Sequence, residues 1–150
     1  MGKWMVLIGC AALALTAAAA ELPYDEHADA SAQLQQALAQ ARAEHRDVML
    51  VFGANWCEDC RELDKALHGS SMALVANRFE VLKIDVGNFD KNLGIAKHYG
   101  NPIAKGIPAV VLLSAADEVL YSTKGGELAN ARRMGESGIY DFLAHNLGAQ

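Results

Sequence analysis

Two cysteines spaced two residues apart, set where an apolar strand hands over to a helix, constrain this chain more than any other feature. The stretch reads Asn55-Trp56-Cys57-Glu58-Asp59-Cys60-Arg61. Ahead of it, Val48-Met49-Leu50-Val51-Phe52 is continuously apolar and rich in strand formers. Behind it, Leu63, Ala66 and Leu67 recur at helical spacing. Cys57 is therefore expected at or just before the first turn of a helix. Unpaired backbone N–H groups and the positive end of the helix dipole favour a thiolate over a thiol there. Cys60, one turn on, is shielded beneath Cys57 and close enough to bridge it. A nucleophilic thiolate with a resolving thiol one turn away suits thiol–disulfide exchange.

The segment from Val51 to Cys60 resembles the active-site segment of thioredoxin-fold proteins: strand, small residue, Trp, Cys-x-x-Cys, helix. Cys-x-x-Cys alone is a weak signal, and the preceding Trp56 with the strand-to-helix setting makes it specific. A later segment, Gly106-Ile107-Pro108-Ala109-Val110-Val111-Leu112-Leu113, is similar to the family's cis-proline loop leading into a central strand. The resemblance spans residues 46–147. It implies an α/β thioredoxin fold: a central mixed sheet of about four to five strands flanked by helices, with an extra helix at the N-terminal end.

The 150 residues suffice for one domain with a real core and are too few for two. Residues 1–20 stand apart. Lys3 gives a positive start, the run from Trp4 to Leu15 is almost wholly apolar, and Ala18-Ala19-Ala20 offers a small-residue cleavage site before Glu21. This is the layout of a secretory signal peptide, which leaves 21–150 as the domain. A transmembrane anchor is the rival reading, but the run is short and Ala-rich. Lipoprotein processing at Leu7-Ile8-Gly9-Cys10 is a third, but the apolar run continues past Cys10. With the signal gone, Cys57 and Cys60 are the remaining cysteines. A pair closing so small a loop is a poor staple and reads better as a redox pair. The formal net charge of −5, with no basic patch, argues against nucleic acid as a partner.

Along the chain, residues 21–29 read as a loosely ordered polar lead. A helix follows from Ala30 to His45, with Leu34, Ala37, Leu38 and Ala41 on one stripe and Ser31 or Asp29 as its cap. Strands are expected at 47–54, 79–86, 107–113 and 119–122. Helices are expected from Ser70 or Ser71 to Asn77 and from Phe89 to Tyr99, the latter with Leu93, Ala96 and Tyr99 inward. Ser114 to Glu118 closes an antiparallel hairpin. The helical tail carries Leu128, Ala131 and Met134 on one face, then Ile139, Phe142 and Leu143 on another. Gly135 and Gly138 interrupt it, and Ser137 can cap a second helix.

Cys57 is the candidate nucleophile and Cys60 the resolving thiol. A structural zinc pair is the competing reading, but zinc wants about four ligands. The histidines are scattered at 27, 45, 68, 98 and 145, so no metal is expected, and no cofactor beyond the Cys57–Cys60 disulfide. Glu58 and Asp59 suit the helix dipole, yet they also oppose a neighbouring thiolate. One such charge at ~6 Å and an effective dielectric of ~40 costs about 1 kcal/mol, roughly one pKa unit. That destabilises the reduced form and predicts a reducing centre, with Arg61 and Lys65 offsetting part of the effect.

The resemblance implies that Trp56 covers the site, that Pro108 is the cis-proline, and that Ile107 offers its backbone to an incoming disulfide-containing segment. The chain also departs from thioredoxin. The family's buried acid, six residues before the first cysteine, is replaced by Val51, and the lysine of the neighbouring strand by Val81. The loop Asn101-Pro102-Ile103-Ala104-Lys105 is longer than usual and reads as either a partner-selecting element or a tolerated surface insertion.

The expectation is a periplasmic, monomeric thiol–disulfide oxidoreductase that reduces disulfide-containing client proteins. Its look is closest to thioredoxin-like periplasmic domains, including the electron-delivering C-terminal domain of the membrane disulfide reductase. Since that compartment is kept oxidising, a membrane electron donor is implied. The alternatives are an oxidase or isomerase, and a redox-idle binding or chaperone-like module.

Overall fold

The computed structural model describes residues 21–147; the expected signal peptide, with Cys10, lies outside the described residues. In chain order the elements are α1 (Ala30–Glu44), β1 (Asp47–Gly53), α2 (Glu58–His68), α3 (Met72–Val75), β2 (Phe79–Asp85), α4 (Leu93–His98), a 3-10 turn (Pro102–Lys105), β3 (Ala109–Leu113), β4 (Val119–Ser122) and α5 (Ala131–Leu147). Among the described residues no helix is long and apolar enough to cross a membrane.

The sheet is four-stranded in the order β2-β1-β3-β4. β1 pairs parallel with β2 and antiparallel with β3, so it lies inside the sheet. That position explains its composition. A strand covered on both faces is apolar at every position rather than at alternate ones. Val48, Leu50 and Phe52 join one core with α1 and Tyr99. Met49 and Val51 join another with Leu63 and Ala66 of α2 and Ile139 and Leu143 of α5. This is the expected thioredoxin fold with its additional N-terminal helix, capped by the Asp29 carboxylate, which accepts from Ala32 N at 3.0 Å. β3 and β4 form the expected antiparallel hairpin.

Four expectations are corrected. The lead at 21–29 is not loose: Tyr24 is 3% exposed, and its backbone is held by the Asn55 side chain. The helix expected from Phe89 begins only at Leu93, because Phe89 and Asn92 take left-handed φ values of 61° and 53°. Leu93 is then exposed, whereas Ala96 and Tyr99 are buried as expected. The loop at 101–105 is no free insertion, since Pro102 and Ile103 are buried in a 3-10 turn. In the C-terminal tail Leu128 is buried but precedes the helix. α5 breaks at Gly135, whose φ of 64° and ψ of 177° interrupt the helical path.

Candidate active site

β1 ends at Gly53 and delivers Ala54, Asn55 and Trp56 to the start of α2. Cys57 is the N-cap of α2, with extended φ and ψ of −78° and 109°, and its sulfur accepts from Cys60 N at 3.1 Å. The sulfur thereby takes up one of the donors that a helix start leaves unpaired. Cys57 and Cys60 are joined in a disulfide with their Cα atoms 5.2 Å apart. Cys57 is 5% exposed and Cys60 fully buried, so a partner can approach only from the Cys57 side.

That side faces the loop before β3. The Ile107–Pro108 peptide bond is cis, and the Ile107 carbonyl oxygen lies 3.7 Å from the Cys57 sulfur. Trp56 forms the opposite wall. It is 54% exposed, its indole N–H donates to Gly87 O at 2.9 Å, and its ring leans on Phe89 at 6.3 Å between centroids. Phe89 is also exposed, held out by its left-handed backbone. An open groove at Cys57 is lined by Trp56, Phe89, Ile107, Ala129 and Arg132, together with Glu58 and Asp59.

The charges around Cys57 differ from those expected. Arg132, just inside α5, reaches across to the two acids between the cysteines. Its backbone N donates to Asp59 Oδ1 at 2.9 Å, its Nε lies 3.4 Å from the same oxygen, and its guanidinium pairs with Glu58. Arg61 instead donates to Asn55 O at 3.0 Å, bracing the turn. Lys65 turns away to Glu136 at 3.0 Å. That exposed pair raises the Lys65 pKa through the hydrogen bond from its ammonium and lowers the Glu136 pKa through the same contact.

Behind the site, β-sheet register places Lys83, not Val81, opposite Val51. Lys83 is paired with Asp64 of α2. An acid–lysine pair thus exists near this position after all, with its acid moved from the strand to the helix. Asp85 is opposite Gly53. It is 5% exposed, accepts from Gly87 N at 3.1 Å, and has Lys91 at 3.5 Å.

Sequence reasoning missed Arg132, Tyr24 and Phe89. Phe89 had a usable signal, a lone aromatic in the turn after a strand. The other two reach the site only through tertiary structure. Among the described residues no group of three or more His, Cys, Asp and Glu side chains is placed to hold a metal ion.

Residues 29–115 match a family model described as thioredoxin-like. The chain is 58% identical to the crystal structure of disulphide isomerase from Xylella fastidiosa Temecula1, with a TM-score of 0.81, over 85% of this chain and 98% of that one. It is 30% identical over 115 residues to the thiol:disulfide interchange protein DsbD of Vibrio cholerae serotype O1, covering 75% of this chain but only 17% of that relative. The thioredoxin from Thermus thermophilus, at 23% identity and a TM-score of 0.53 over 74% of this chain and 81% of that one, shares the fold.

Proposed function

The chain belongs to the thioredoxin-like family and is a thiol–disulfide oxidoreductase, and from this premise we propose that it works from its reduced state on the disulfides of client proteins. The observation that carries the proposal is the position of Cys57. Its sulfur sits at the helix start, accepts a backbone N–H, and opens onto a groove lined by Ile107 and two exposed aromatic rings. Residues 21–150 act as the exported domain after removal of 1–20, and the compartment is the periplasm. Kinship with thiol:disulfide interchange proteins and the leader-like layout of residues 1–20 support that location.

In the proposed cycle the Cys57 thiolate attacks one sulfur of a client disulfide. A mixed disulfide forms and the other client sulfur leaves, taking up a proton. Cys60 then attacks the Cys57 sulfur, closes the internal disulfide and releases the second client thiol. The client gains two electrons and the dithiol loses them. The client segment lies extended along Ile107 and Pro108, backbone to backbone, with Trp56 and Phe89 covering its apolar side chains. The protein works as a monomer with no cofactor beyond its own disulfide, and a membrane donor restores the dithiol.

A second reading, disulfide isomerisation, is favoured by the 58% identity to a disulphide isomerase. Both readings begin with the reduced Cys57. Two assays on wild type, Cys57→Ser and Cys60→Ser separate them: reduction of insulin disulfides and reactivation of scrambled ribonuclease. The reductase reading expects both cysteines to be needed for insulin, and Cys60→Ser to trap a mixed disulfide. Reactivation surviving in Cys60→Ser, with poor insulin reduction by wild type, shifts the function to isomerisation. Activity that ignores Cys57, or none at all, leaves the fold as a binding module and refutes the proposal.

A further inference from the structure

The fully buried Cys60 sulfur has a neighbour that the reaction scheme leaves unused. The segment ahead of α1 is strapped across the back of the active-site turn. Asn55 accepts from Tyr24 N at 3.0 Å and donates to Tyr24 O at 2.9 Å and to Glu26 Oε1 at 3.0 Å. The strap drives the Tyr24 ring inward beneath Gly53. A Cβ added at Gly53 would collide with the Tyr24 phenol and also sit 2.9 Å from the Cys60 sulfur. One methyl group would therefore touch both, and glycine is required there so that phenol and sulfur can share the space.

From this juxtaposition we propose that the Tyr24 hydroxyl donates a hydrogen bond to the Cys60 sulfur as it becomes anionic, making Tyr24 a positioning residue for the resolving step. The inference rests on the Cys57–Cys60 cycle proposed above. In that step the Cys60 sulfur bonds to Cys57, the bond from Cys57 to the client breaks, and the proton lost by Cys60 matches the one gained by the departing client thiol. Tyr24 keeps its own proton throughout. The charged groups around it explain why a phenol suits this place. Asp64 on α2, held by Lys83, and Asp85 on β2, with Lys91 nearby, are acceptors when ionised and repel a thiolate. Glu26, on the strap itself, is occupied by Asn55. The phenol is a donor, and burial first, then Asp64 and Asp85, push its pKa well above the usual tyrosine value, so it stays neutral while Cys60 ionises. A donor to a charged sulfur is among the stronger hydrogen bonds available.

Tyr24→Phe keeps the ring and removes the hydroxyl. Cys60 is titrated by thiolate absorbance in the Cys57→Ala background, and stopped flow follows release of a chromophoric thiol from its mixed disulfide with Cys57. The expected result is a Cys60 pKa higher by about one unit and resolution slowed roughly tenfold at neutral pH, recovering at high pH. The rate of the first step, attack by Cys57, stays unchanged, which a merely structural role would not produce. Incorporation of a fluorinated tyrosine at position 24, a stronger donor of nearly the same shape, is expected to lower the Cys60 pKa, and it keeps the test open if Tyr24→Phe folds poorly. Resolution by Tyr24→Phe at the wild-type rate and pH profile, or no response to the fluorinated ring, overturns the inference. A wild type that never releases the second thiol instead refutes the exchange cycle on which it rests.

Discussion

Replacing Arg132 tests how the charge between the cysteines is set. The two acids Glu58 and Asp59 disfavour a thiolate at Cys57, and the Arg132 guanidinium, bound to both, opposes them. A single unit charge ~6 Å from the sulfur at an effective dielectric of ~40 is worth about 1 kcal/mol. Arg132 acts from behind the acids and is 56% exposed, so about half of that is a fair allowance after solvent screening. About 0.5 kcal/mol is a third to a half of a pKa unit and ~10 mV in a two-electron couple. Removing the cation destabilises the reduced thiolate, so Arg132→Gln raises the Cys57 pKa and lowers the reduction potential by ~10 mV, and Arg132→Glu by ~20 mV. Equilibration with glutathione at a pH where Cys57 is ionised, read by Trp56 fluorescence, measures the potential. The shift shrinks in ~1 M salt, where the screening length falls to about 3 Å. It also shrinks in a Glu58→Gln, Asp59→Asn background, where the guanidinium loses its anchors. A potential that stays put or rises in Arg132→Glu would falsify this account of the site.

Three further outcomes are expected. Tyr24 and Tyr99 both have pKa values raised by burial above the ordinary 10.0. Above that pH the unfolded chain loses tyrosine protons that the folded chain retains, so stability present below it is lost as pH climbs. Denaturant melts at rising pH should show this loss, and Tyr24→Phe should blunt it. Asn55→Ala removes both backbone hydrogen bonds to Tyr24 and costs about 1–3 kcal/mol; urea titration reads the loss, and hydrogen exchange at Tyr24 N rises with it. Trp56→Ala, at a side chain 54% exposed, changes stability by less than about 1 kcal/mol yet weakens client turnover severalfold through KM, as insulin reduction measures. Loss of kcat alone would remove Trp56 from the client groove.

The parts of the molecule legible in the sequence are those whose signals are local. A strand covered on both faces advertises itself by an unbroken apolar run, and Val48 to Phe52 lies where that run predicts. α1 shows its buried stripe at helical spacing, and Asp29 caps it. Local signals misled where backbone geometry decided. Ala96 and Tyr99 have the spacing of a helix reaching back to Phe89, but left-handed φ values at Phe89 and Asn92 stop it short and turn Phe89 out beside Trp56. Comparison with the family's acid and lysine positions showed apolar residues at Val51 and Val81. It could not show that the register sets Lys83, two residues beyond Val81, opposite Val51, or that its acid is supplied from a helix, by Asp64.

The hidden groups share a cause. Tyr24 meets the active-site turn through Asn55, 31 positions away, and Arg132 meets Asp59 across 73 positions. Both lie outside residues 29–115, the span that the thioredoxin-like family model matches. The Cys-x-x-Cys motif and its two acids therefore cannot by themselves fix the chemistry of this site. The charge felt by Cys57 depends on the start of α5, and the surroundings of Cys60 depend on a strap ahead of α1. Each end of the domain governs one sulfur: Arg132 lies at the one that opens onto the groove, Tyr24 at the one buried behind it. A chain with the same Glu-Asp dipeptide but neither contact is expected to be a stronger reductant at Cys57 and slower to resolve at Cys60, because the first loses a cation and the second a donor.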